Sequence, residues 1–126
     1  MSTLRIIPDA GRTAYEPGEP ITGRIEWSLD ASTSGGWLEL RLLWHTEGKG
    51  TRDGNVVETL RINAPAATGE QDFAFTLPGG PYSFAGRLIS LLWGLELVSS
   101  HKGEAERVEL TVAPGGKAVQ LGTVEK

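Results

Sequence analysis

The chain has 126 residues, a net charge of −4 and no cysteine. One domain of roughly 100–200 residues is the usual scale for that length. The acidic balance excludes a nucleic-acid binder, which needs a basic patch to displace counterions from phosphate, and the missing cysteines exclude a disulfide framework, a thiolate nucleophile and a thiolate metal site.

Apolar residues recur with period two along almost the whole sequence, the pattern of half-buried strands. Leu4–Ile7 reads as a short opening strand. In Ile21–Leu29, residues Ile21, Gly23, Ile25, Trp27 and Leu29 share one face, and Thr22, Arg24, Glu26 and Ser28 share the other. Trp37–Thr46 sets Leu38, Leu40, Leu42 and Trp44 against Glu39, Arg41 and His45. Asn55–Ile62 places Val56, Leu60 and Ile62 on one parity, with Glu58 an exception. Asp72–Leu77 groups Phe73, Phe75 and Leu77; Gly86–Val98 groups Ile89, Leu91, Trp93, Leu95 and Leu97; Arg107–Val112 groups Val108, Leu110 and Val112. Ala118–Leu121 is a candidate last strand in a tail, 114–126, that is otherwise expected to be mobile.

Turn signals separate these runs: Glu16-Pro17-Gly18, Ser34-Gly35-Gly36, Asp53-Gly54-Asn55, Pro78-Gly79-Gly80-Pro81 and Pro114-Gly115-Gly116. The 17 glycines, about twice average usage, belong to this turn chemistry. The expected fold is all-β: one antiparallel, immunoglobulin-like β-sandwich over residues 1–126, with seven to eight strands and little or no helix.

Reactive groups are few. His45 lies on the polar parity of its strand near Glu47 and Asp53, but the spacing is not that of a metal site. His101 falls in a hairpin loop, and no Gly-x-Ser-x-Gly elbow accompanies it. Gly48-Lys49-Gly50-Thr51 lacks the spacing of a phosphate loop. No catalytic, metal or cofactor site is expected, and the chain is read as not an enzyme. Four tryptophans suggest a carbohydrate-binding module as the alternative; parity puts Trp27, Trp44 and Trp93 in the core and leaves only Trp37 for a sugar. The strand Gly86–Val98 carries apolar residues on both faces. Leu88, Leu92 and Val98 on its second face, with Trp37 and Leu43, form the candidate protein-contact surface. No apolar segment is long enough to cross a membrane and no signal peptide is visible, so a cytoplasmic location is expected.

Two stretches resemble the arrestin-like family, in its amino-terminal type of lobe. The first is Tyr15-Glu16-Pro17-Gly18-Glu19-Pro20-Ile21-Thr22-Gly23, a tyrosine, a Pro-Gly-Glu turn and a glycine-containing strand. The second is Phe73-Ala74-Phe75-Thr76-Leu77-Pro78, then Pro81-Tyr82-Ser83-Phe84 and an apolar strand. Order and spacing agree from about Leu4 to Val112, closest to the short bacterial and sporulation-control types. The resemblance implies a sandwich of the arrestin type and a non-catalytic scaffold or adaptor for an unknown protein partner. The phosphate-sensing lysine pair of receptor arrestins is missing, with only Arg5 offered in the opening strand. Two-lobed relatives and a chain with room for one lobe make a homodimer the first partner to test.

Overall fold

The computed structural model describes residues 3–29, 36–48, 54–85, 89–100, 104–116 and 119–120. Their strands are β1 (Thr3–Pro8), β2 (Ala14–Tyr15), β3 (Pro20–Ser28), β4 (Trp37–Gly48), β5 (Gly54–Asn63), β6 (Thr68–Thr76), β7 (Phe84–Ala85), β8 (Ile89–Ser99), β9 (Ala105–Val112) and β10 (Val119–Gln120). Helical structure among them is limited to two three-residue 3-10 turns, Asp9–Gly11 and Pro114–Gly116.

A small antiparallel sheet, β1-β3-β6, packs on a larger one in which β5, β4 and β8 lie side by side. The far side of β8 is shared: β9 pairs with Trp93–Val98, and β7 with Ser90 and Leu91. Two short pairings are parallel, β2 with β9 and β10 with β7, so the large sheet is mixed and not wholly antiparallel.

The two inner faces supply the core by simple alternation. Ile21, Ile25 and Trp27 of β3 and Phe73 and Phe75 of β6 meet Leu38, Leu40 and Leu42 of β4, Leu91, Trp93, Leu95 and Leu97 of β8 and Leu110 of β9. Trp93 is 1% exposed, and its indole N–H donates to the Pro81 carbonyl (2.8 Å), so its one polar atom is satisfied inside the fold. Trp27 solves the same problem by donating to Ala66 (2.9 Å).

The parity of β5 differs from the sequence expectation. The ladder with β4 shifts between Leu42 and Leu43: Leu42 pairs with Glu58 and Leu43 with Val56, leaving Val57 as an extra residue. A bulge of this kind reverses the facing of what precedes it. Val57, not Val56, therefore packs on the core, and Val56 is turned out with 47% of its surface exposed. Glu58, the exception on the apolar parity, is used there: its carboxylate accepts the Thr76 amide of β6 (3.1 Å), tying the edge of one sheet to the edge of the other.

Candidate functional site

Two regions hold the residues singled out from sequence. The first gathers the motif residues at one end of the sandwich. Gly18 has φ +83°, the left-handed value required at the third position of a type II turn, and the Glu19 amide closes that turn on the Glu16 carbonyl (3.1 Å). The Gly18 amide donates to the Pro78 carbonyl (3.2 Å) and the Leu77 amide to the Glu19 carbonyl (3.0 Å), so the two motifs, distant in sequence, are bonded to each other. Ser83 continues the knot: its amide donates to the Val112 carbonyl (2.6 Å), and its hydroxyl accepts the Val112 amide (2.9 Å). The Ala113 amide then donates to the Tyr15 carbonyl (3.1 Å). Phe84 packs partly buried against the core beside these contacts.

Side chains lock the same end. Arg12 donates to the Glu19 carboxylate (2.6 Å) and to the Ala14 carbonyl (3.0 Å), and its guanidinium lies 4.4 Å from the centre of the Tyr15 ring. Tyr15 is buried, and its hydroxyl donates back to the Arg12 carbonyl (3.0 Å). The hydrogen bond from Arg12, and then the one from the Glu16 amide, hold the Glu19 carboxyl below the usual carboxylate range; the same bond raises Arg12, and burial raises Tyr15. Every one of these contacts is internal, which makes the region a fastening.

A carboxyl depressed in the folded state stabilises fully above its unfolded value of about 4.3 and loses that contribution as pH falls through the folded value. Glu19→Gln is therefore expected to melt below the wild type at neutral pH and together with it in strong acid. Paired thermal melts across that range check this; a gap that persists in strong acid would assign the effect to another group.

The second region is the outer face of the large sheet. Cross-strand register lays it out in levels. Arg61, Glu39, Val98 and Ala105 share one level; Thr59, Arg41, Glu96 and Arg107 the next; Val56, Leu43, Gly94 and Glu109 the third; Gly54, His45 and Leu92 the fourth. Through the first two runs a charge ladder: Arg61–Glu39 at 3.6 Å, Arg41–Glu39 at 2.7 Å, Arg41–Glu96 at 3.8 Å and Arg107–Glu96 at 3.8 Å. His45 contacts Glu47 through Nε2 (2.9 Å), while its Nδ1 is buried without a partner.

The predicted contact residues thus divide. Trp37 and Val98 lie at one end of the charge ladder, and Leu43 and Leu92 at the other. Arg61 stacks 4.4 Å from the centre of the Trp37 ring. Leu43 is 7% exposed and Leu92 half-buried. Leu88, His101, the Lys49–Asp53 loop and the last six residues lie outside the described residues. Sequence reading misses Val56 because alternation assigns it to the core, and a bulge leaves no signature in the apolar pattern. Among the described residues no group of three His, Cys, Asp or Glu side chains is placed to hold a metal. No helix among them is long and apolar enough to cross a membrane.

A separate cleft of about 420 Å³ opens between the start of β1 and the start of β9, lined by Thr3, Leu4, Glu104, Ala105 and Glu106.

No protein-family profile matches the chain, and no curated protein sequence matches it. Solved structures do. The chain is similar to Spo0M, a sporulation control protein from Bacillus subtilis, at 16% identity and a TM-score of 0.62 over 89% of this chain and 49% of that one. It is also similar to a superoxide reductase (neelaredoxin) from Ignicoccus hospitalis, at 16% identity and a TM-score of 0.50 over 87% of this chain and 80% of that one. The chain spans about half the length of Spo0M. At such identities the likeness is one of fold, and it places the chain with Spo0M-like all-β sandwiches.

Proposed function

We propose that the chain is a non-catalytic protein-interaction domain, built like one lobe of the arrestin-like family and acting as an adaptor in the cytoplasm. One observation carries the reading: β8 bears apolar residues on both faces. Leu91, Trp93, Leu95 and Leu97 are buried in the core, and Leu92 and Val98 sit half-buried on the outer face, which also bears the exposed Val56. A strand covered on one side only has no use for that second row unless something else covers it. The likeness in fold to a sporulation control protein is compatible with a regulatory binding role. A cysteine-free composition suits a reducing compartment.

The carbohydrate-binding alternative draws less support. Trp27 and Trp93 are spent in the core, Trp44 packs against it, and the Trp37 ring carries the Arg61 guanidinium where a sugar would stack.

Capture from native lysate, compared between the wild type and the Val56→Glu and Val98→Glu variants, tests the reading. A reproducible set of proteins lost in both variants, at unchanged melting temperature, is expected. Equal capture by all three would remove the outer face as the contact surface. A saturable shift in tryptophan fluorescence on adding glycans, abolished by Trp37→Ala, would favour the sugar reading.

A further inference from the structure

We propose that the unpaired edge of β9 takes a further strand, an extended peptide that sets basic side chains beside Glu104 and Glu106. The edge is open along most of its length. On one side β9 pairs with β8 from Ala105 to Leu110. On the other, among the described residues, its partner is β2, at Thr111 and Val112 alone. Backbone direction shows which groups are left over. The Glu104 carbonyl accepts the Ser99 amide (2.8 Å), and the Thr111 amide donates to the Thr13 carbonyl (2.8 Å). Successive residues of a strand turn their backbone groups to opposite neighbours. Even-numbered residues of β9 therefore serve β8, and odd-numbered ones face the edge. Ala105, Arg107 and Glu109 present their N–H and C=O groups to no strand. β2 already occupies the same line further along, so an incoming strand continues an existing ladder.

The side chains beside the edge state what kind of strand fits. Glu106 pairs with Leu97 and Val108 with Leu95, so Glu104 and Glu106 extend the inward row of Val108 and Leu110. In place of the core they meet the cleft of about 420 Å³ between β9 and β1, which Leu4 also lines. Glu104 Oε1 is enclosed there without a hydrogen-bond partner. The neighbouring cation Arg107 is committed to Glu96 on the outer face (3.8 Å). Charges turned inward at an open edge reject apolar and acidic strands. They favour an occupant that brings its own cations, because an ammonium or guanidinium supplies the donor that Glu104 lacks. Backbone pairing gives attachment and alternate side chains give selection, the usual division in strand addition. The occupant is thus an extended segment with basic residues at alternate positions and an apolar residue two places beyond them, against Val108.

The probe is the peptide Thr-Val-Thr-Lys-Thr-Lys-Thr-Val-Thr, acetylated and amidated. It reads alike in both directions, so either strand polarity sets its lysines at Glu104 and Glu106 and a valine at Val108. Titrated at low ionic strength into isotope-labelled protein, it is expected to saturate. Hydrogen exchange at the Ala105, Arg107 and Glu109 amides should then slow at least tenfold. The Glu106 and Val108 amides, already bonded to β8, should change little. A peptide of the same composition with its residues grouped, Lys-Lys-Val-Val-Thr-Thr-Thr-Thr-Thr, is expected to bind at least tenfold more weakly. The alternating peptide is expected to lose as much on Glu104→Gln combined with Glu106→Gln.

Three outcomes overturn the proposal: no saturation, unchanged exchange at those three amides, or equal binding of the grouped peptide, which would reduce the effect to unspecific charge attraction. If the double variant loses its fold by circular dichroism, exchange and the grouped peptide decide on the wild type alone. The β9 edge is a different surface from the outer face of the large sheet. A failed titration therefore leaves the adaptor reading to the lysate capture and its Val56→Glu variant.

Discussion

Gly23→Ala is expected to lower the melting temperature by about 10 °C. Gly23 sits in β3 directly opposite Pro8 of β1 and Phe73 of β6. A Cβ there would lie 2.5 Å from the Ile7 carbonyl oxygen and 2.8 Å from both Pro8 Cα and the tip of the Phe73 ring. Two of those three atoms belong to backbone, so no rotamer change relieves the clash, and β1 as a whole must move away from β3. Overpacking of a close contact costs about 1–3 kcal/mol, and the backbone obstruction puts this case at the upper end. At roughly 3–4 °C per kcal/mol for a domain of this size, the shift is large and easily read by differential scanning calorimetry. Gly79→Ala is the control: no heavy atom lies within 4 Å of its added Cβ. It is expected to stay within about 0.5 kcal/mol of the wild type, as surface substitutions do. If Gly23→Ala melted with the control, β1 would not approach β3 as closely as described.

Trp93→Ala is expected to cost about 3–5 kcal/mol, the range for removing a fully buried large aromatic. Trp93 is enclosed at the centre of β8, opposite Trp44 on one side and Leu110 on the other. The cavity left by Ala opens where the two sheets must close on each other. Trp93→Phe separates the two contributions. It keeps most of the ring but abandons the 2.8 Å hydrogen bond, leaving the Pro81 carbonyl without that donor. A loss of about 1–3 kcal/mol is expected for an orphaned partner of this kind. Urea midpoints at constant slope measure both losses. A Phe variant as damaged as the Ala variant would mean that the hydrogen bond, and not the packing, dominates at this site.

Much of this fold is legible in the alternation of single strands. Leu38, Leu40 and Leu42, or Leu91, Trp93, Leu95 and Leu97, are assigned to the core by parity alone, because a sheet buried on one face sorts its side chains with period two. Alternation fails where the backbone breaks the period. The extra residue Val57 exposes Val56 and makes Glu58 an inter-sheet fastener. The first half of β6 also goes unread, because Thr68, Glu70 and Gln71 have no apolar rhythm and are held as a strand by their register with β3.

The candidate contact face is half legible. The apolar surplus of β8 is visible as composition, but the charge ladder that divides it depends on β5, β4, β8 and β9 being neighbours. The meeting of the two turn motifs, Gly18 with Pro78 and Glu19 with Leu77, is likewise a product of topology. Each motif reads locally as a turn, and no local pattern says that one turn is bonded to the other.

The fastening at Tyr15 also bears on how the chain reaches its native state. The amino-terminal Tyr15 is closed by Val112 and Ala113, and the Glu16 carboxylate by the Gly115 amide. The Glu16–Gly115 pair is separated by 99 residues in sequence. Contacts at such separations exact their loop-closure entropy before they return any stability, and they slow folding accordingly. During synthesis Tyr15 lacks these partners until Ala113 has been made. The sandwich closes late, and a chain that stops short of residue 112 lacks the strand that completes it.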